Sequence, residues 1–232
     1  MKRSTISQPE VATLFIAASE QDSNLYYATR FMAPDPFIYL EIRGERVMVM
    51  SDLEMDRARS EASVDRVLSY SEVEQKAKKQ GIKAPTAVDI VHVVLKESKI
   101  RRLSVPASFP VIHAARLQER GYSLKPKSDP FYEQRVVKTP EEVRHIEEAQ
   151  RATEEAVTAA HAMLRKAEIK GAQLWLDGQP MTSELIKKFI NVKLMERDCI
   201  AQHTIVAGGE QACDPHNEGS GPLPAHRSII FD

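Results

Sequence analysis

The chain has 232 residues, 42% of them apolar and 28% charged, with 32 lysines and arginines against 33 aspartates and glutamates, for a formal net charge of −1. That is enough apolar material for a sizeable core in one or two domains, at about 100–200 residues per domain, and it excludes wholesale disorder. The balanced charge gives no electrostatic basis for nucleic acid or an anionic membrane as partner, and with only Cys199 and Cys213 there is no disulfide scaffold.

The opening stretch "MKRSTISQPEVATLFIAASEQDSN" is basic, but Glu20 breaks its short apolar run, so it does not read as a signal peptide. No run reaches the roughly 18 apolar residues that span a bilayer, and the expected setting is the reducing cytoplasm. "TLFIAAS" reads as a strand, and "FIYLEIRGERVMVMS" as a hairpin turning at Arg43, Gly44 and Glu45. A surface helix over "SEVEQKAKKQG" takes Ser71 as its cap and stops at Gly81. "TAVDIVHVVLKES" predicts a second helix, and the basic cluster "KESKIRR" is its solvated end passing into a strand at "RRLSVPAS". "PVIHAARLQERG" predicts a third helix, from Pro110 to Gly121. The mixture is that of an α/β domain of about 130 residues.

"SLKPKSDPFYEQRVVKTPEE", rich in proline, lysine and serine, reads as a linker, which places the domains at 1–137 and 138–232. Thr139 can cap the next helix, Pro140 suits its first position, and Glu142 completes a capping box. Ile146, Ala149, Thr153, Ala156, Ala160, Met163 and Ala167 recur at steps of three and four as a buried stripe, with Gly171 as the stop. A second helix from about Ser183 turns Leu185, Ile186, Phe189, Ile190 and Leu194 inward. "CIAQHTIVAGG" predicts a strand entering a glycine turn, and "RSIIFD" a last strand for which the sequence suggests no partner. The second domain is therefore expected to expose "SIIF" and the helix stripe, and to be cut by protease more readily than the first.

The closing segment gathers His203, Cys213, Asp214, His216, Glu218, His226 and Asp232. Strand alternation puts Asp232 on the side of Ile230, away from Ile229 and Phe231. A carboxylate there binds a cation or leads into a solvated turn, and spacing alone favours the turn. His216, between Pro215 and Asn217, is placed to donate to a carbonyl oxygen or an oxyanion, though a lone histidine is more often structural. A zinc site of Cys213, His216, His203 and His226 has a CxxH pair but no second knuckle.

The ordered blocks "KTPEEVRHIEEAQRATEEAV", "MTSELI" and "HTIVAGGEQACDPHNEGSGPLPAHRSIIFD" resemble the first half of the pita-bread metallopeptidases, the family of Xaa-Pro aminopeptidase, prolidase and creatinase. "SNLYYATRFMAPDPFIYL" and "SDLEMDRARSE" are similar to the smaller α/β domain of that family. The resemblance implies an α/β fold class, with an N-terminal creatinase-like domain followed by an incomplete pita-bread α+β domain. It puts Asp232 at the first metal-binding aspartate and His216 at the histidine that contacts the substrate or tetrahedral intermediate. It gives His203 no role.

Two divalent ions, manganese, cobalt or zinc, are implied for a longer parent enzyme, with none stably held by this chain alone. The implied activity is hydrolysis of the bond before proline in peptide substrates, with a homodimeric parent admitted and this chain inactive by itself. Two alternatives stay open: a non-catalytic protein-binding module of the same fold, and a creatinase-like hydrolase of a small C–N bond.

Overall fold

The computed structural model describes residues 10–96 and 98–232, so most of the opening basic stretch and Glu97 of "KESKIRR" lie outside the described residues. The chain forms two compact units, Met1–Val137 and Lys138–Asp232.

In chain order the first unit comprises β1 (Val11–Ala17), α1 (Ser23–Thr29), β2 (Phe37–Ile42), β3 (Glu45–Met50), α2 (Met55–Glu61), β4 (Arg66–Ser69) and α3 (Tyr70–Lys79). It continues with α4 (Ala87–Leu95), β5 (Arg102–Pro106), α5 (Val111–Glu119) and β6 (Ser123–Lys127). The strands make one sheet in the order β4-β3-β2-β1-β5-β6. The β1–β2 and β2–β3 pairs are antiparallel, whereas β3–β4, β1–β5 and β5–β6 are parallel.

Alternation along β1 divides the core into two layers. Ala12, Leu14 and Ile16 join Val73 of α3, Ile90 and Leu95 of α4 and Leu117 of α5 on one face. Phe15 joins Tyr39, Met48, Leu25 of α1, Met55 of α2 and Phe131 on the other. The β2–β3 hairpin turns through Arg43 and Gly44, both at positive φ, the two-residue turn whose twist matches the strands.

Two readings of the first unit are corrected. Ser69, not Ser71, caps α3, its hydroxyl accepting from the Glu72 amide. The stretch read as a linker begins as β6, paired in parallel with β5, and Phe131 within it is buried against Phe15. Pro126 is tolerated because β6 is an edge strand, where an absent amide breaks no inner ladder. Helices α1 and α2 have seven residues each, too few turns to display a period, and neither was legible in the sequence.

The second unit comprises α6 (Pro140–Arg165), β7 (Glu168–Lys170), β8 (Gln173–Leu176), β9 (Gln179–Pro180), α7 (Ser183–Met195), β10 (Val206–Gly208) and β11 (Ile229–Phe231). Thr139 and Glu142 close the expected capping box on α6. The stripe of α6 differs from the reading: Ala152, Ala156 and Ala160 are buried, while Ala149 and Thr153 are exposed and Ile146 is 54% exposed. These alanines face Ile186, Ile190 and Leu194 of α7, so each helix contributes a row at spacing four. A row of small side chains lets the two backbones approach closely, whereas the larger Ile146 lies beyond that contact.

The helix α6 ends at Arg165, and Gly171 instead occupies the turn between β7 and β8. The three-stranded sheet β7-β8-β9 follows, which the sequence pattern does not foretell. The last strand has a partner within the chain: β11 pairs antiparallel with β10, in the register Val206 to Phe231.

Candidate functional site

Asp232 and His216 are placed by their backbones around β10. The pairing of β10 with β11 extends one residue further, the Asp232 amide donating to the Ile205 carbonyl at 3.1 Å and the Ile205 amide returning a bond to the Asp232 carbonyl at 2.6 Å. Phe231 packs its ring edge-to-face on His161 of α6, with centroids 5.3 Å apart. Because alternate side chains point oppositely, Ile230 and Asp232 turn away from α6, and both are exposed.

On the other side of β10 the Val206 amide donates to the Glu218 carbonyl at 3.1 Å, which brings the loop carrying His216 to the same end of the strand as Asp232. The loop is a built turn. The His216 amide donates to Asp214 Oδ1 at 3.1 Å, and the Gly219 amide to Asn217 Oδ1 at 3.0 Å. The His216 imidazole is exposed and has no hydrogen-bond partner among the described residues, so it is free to meet a ligand.

Several residues that sequence reasoning missed hold this loop in place. Lys187 donates to the Gly219 carbonyl at 2.9 Å, and Glu184 accepts the Gly221 amide on both carboxylate oxygens. That amide, chiefly, holds the Glu184 carboxyl below its ordinary value. Gln211 and Ser220 bond reciprocally, amide side chain to backbone. Glu184 and Lys187 stand three apart on α7 and so share a face, but Lys188, Asn191 and Lys193 on the same helix are polar too, and nothing in the sequence singles the pair out. Gly219 passes so near β10 that a Cβ there would lie 1.9 Å from the Val206 carbonyl oxygen.

A cleft of about 770 Å³ opens beside β11, lined among others by Gly208, Gly209, Cys213, Arg227 and Ile230. Ser183 borders it, and its hydroxyl is buried without a partner among the described residues. The four residues weighed for zinc do not converge, since no three His, Cys, Asp or Glu among the described residues group to hold a metal ion. His203 instead faces Glu218, Nδ1 to Oε1 at 3.5 Å. Divalent ions of this kind take about four to six donors each, so the single carboxylate of Asp232 does not fit a pair of them.

No protein-family model matches the sequence, and no curated protein matches it. Solved structures do. Prolidase from Pyrococcus furiosus superposes with a TM-score of 0.70 at 16% identity, over 95% of this chain and 60% of that one. X-Pro aminopeptidase from Thermotoga maritima MSB8 gives 0.70 at 16%, over 95% and 57%. Xaa-Pro dipeptidase from Bacillus anthracis gives 0.71 at 13%, over 95% and 55%.

The class that this architecture defines is the fold of the prolidases and Xaa-Pro aminopeptidases. The mixed α/β fold implied by the pita-bread resemblance is therefore the fold found. The chain spans 55–60% of the length of these three structures. No helix among the described residues is long and apolar enough to cross a membrane.

Proposed function

We propose that this chain is part of a metal-dependent exopeptidase that hydrolyses the bond before proline, as an Xaa-Pro aminopeptidase or dipeptidase. Residues 1–137 are then the creatinase-like α/β domain, and 138–232 the first part of the catalytic domain. The observation that carries the reading is the convergence of Asp232 and the His216 loop on one end of β10, within a fold shared with enzymes of those names.

In this reading Asp232 is one metal donor, and the remaining donors come from outside the 232 residues, because those described do not complete a site. The metals, manganese, cobalt or zinc, would supply Lewis-acid chemistry in the whole enzyme. His216, with its imidazole unpartnered, donates a hydrogen bond to the oxygen of the reacting carbonyl and holds it as charge develops there. The substrate is a proline-containing peptide, and the proposed setting is the cytoplasm, with a dimeric whole enzyme.

The isolated chain, incubated with manganese or cobalt and an Xaa-Pro dipeptide, is expected to show no turnover above background; turnover would overturn the placement of the missing donors. In a longer protein that contains this chain, His216→Ala is expected to lower kcat by roughly 10²–10³-fold, the size seen when one oxyanion donor is lost. Wild-type hydrolysis by that variant would remove His216 from the site. The alternative, a protein-binding module of the same fold, is opposed by the presence of Asp232 and His216; absence of stoichiometric divalent metal in the longer protein would select it.

A further inference from the structure

The first unit carries a cleft of about 640 Å³ that the proposed peptidase reading does not use. It is bounded by β2, β3 and β4 and by the helices α3 and α4. Leu68, Val93 and Val94 reach it half-buried, above the buried Val47 and Val73. An apolar floor open to solvent is unfavourable by itself and is relieved by any ligand that covers it.

Charge selects the ligand. Among the described residues the lining holds four cations, Arg43, Arg66, Lys76 and Lys96, against one acid, Glu45. Arg66 pairs with Glu45 at 3.2 Å, and Arg43 pairs with Glu10 at 2.6 Å. The two lysines have no carboxylate partner among the described residues: Lys96 Nζ donates to the neutral Gln80 Oε1 at 3.0 Å, and Lys76 lies one turn before Gln80. Residues four apart share a helix face, so both ammonium groups stand on the same rim.

We propose that this cleft binds a small amphiphilic carboxylate, with its apolar body on Leu68, Val93 and Val94 and its head group at Lys76 and Lys96. A cationic amphiphile would meet two positive charges that no carboxylate among the described residues pairs, and a neutral one would leave them unanswered.

Octanoate is the probe, titrated into the full chain by calorimetry and by methyl ¹³C spectra. Saturable shifts of the Leu68, Val93 and Val94 methyls are expected, and octyltrimethylammonium should produce none. Charge reversal at both sites, Lys76→Glu with Lys96→Glu, is expected to weaken octanoate about tenfold or more, a change of about 1.4 kcal/mol or more. The paired glutamine variant, which keeps the surface polar, should weaken it in the same direction. Unchanged affinity in either double variant, equal binding of the cationic probe, or shifts confined to other methyls would each overturn the proposal.

Discussion

Among single residues, Gly219 and Gly221 separate two effects that both restrict a position to glycine. Gly221 has φ +73° and open space where a Cβ would stand, so only the left-handed backbone opposes a side chain. Gly221→Ala should cost the second unit about 1–2 kcal/mol. Gly219 has φ +79° and in addition would drive its Cβ into the Val206 carbonyl, which β10 cannot move without breaking its pairing with β11. Gly219→Ala should therefore cost upwards of about 4 kcal/mol, in the range reserved for strain at a special backbone site. Urea midpoints followed by Trp175 fluorescence measure both, and equal losses would show that the close approach does not matter. Nothing in the sequence distinguishes open space beside a glycine from a carbonyl 1.9 Å away.

For the helices of the second unit, burial is decided by which face meets a neighbour. Ala156 is 1% exposed, in the row packed on α7, whereas Ala149 is exposed one helical stretch earlier. Ala156→Leu is expected to destabilise the unit by about 1–3 kcal/mol through overpacking. Ala149→Leu should change it by no more than about 0.5 kcal/mol. Thermal melts of the two variants provide the check, and a neutral Ala156→Leu would mean that the helices are less tightly packed than the burial implies. The caps of α6 and the β2–β3 hairpin were legible because their signals lie within four residues of one another. The sheet β7-β8-β9 was not, since strands of two to four residues are too short to show alternation.

At the scale of the whole molecule, the two units carry separate reporters. All six tyrosines lie before residue 138, and the single tryptophan, Trp175, lies after it. Burial, followed by the charge of Glu41, pushes the Tyr39 phenol up to about 12 from 10.0. Burial, followed by the influence of Tyr39, raises Tyr132 further still. A phenol whose folded pKa exceeds its unfolded value keeps its proton when the unfolded chain has lost it. The resulting stabilisation is complete below 10.0 and disappears as pH rises from 10.0 through about 12. Melts monitored by tyrosine absorbance should thus fall in midpoint between about pH 9 and about pH 11 by more than those monitored by Trp175. Equal falls would indicate one cooperative transition for both units.

The sequence by itself determined the alternation that gives the first sheet two apolar faces, the capping of α6, and the residue types offered at the end of the chain. These follow from side-chain period and local hydrogen bonding, which act over a few residues. Tertiary structure alone decided that Ser123–Lys127 is an edge strand, that Ala152 and not Thr153 meets α7, and that β11 finds its partner in β10. It also decided that His216 and Asp232 share one end of β10, because Ile205 and Glu218 bind that strand's neighbourhood through backbone groups that every residue type carries. Such long-range pairing leaves no mark on the identity of the residues that make it, so no pattern in the chain could have announced it.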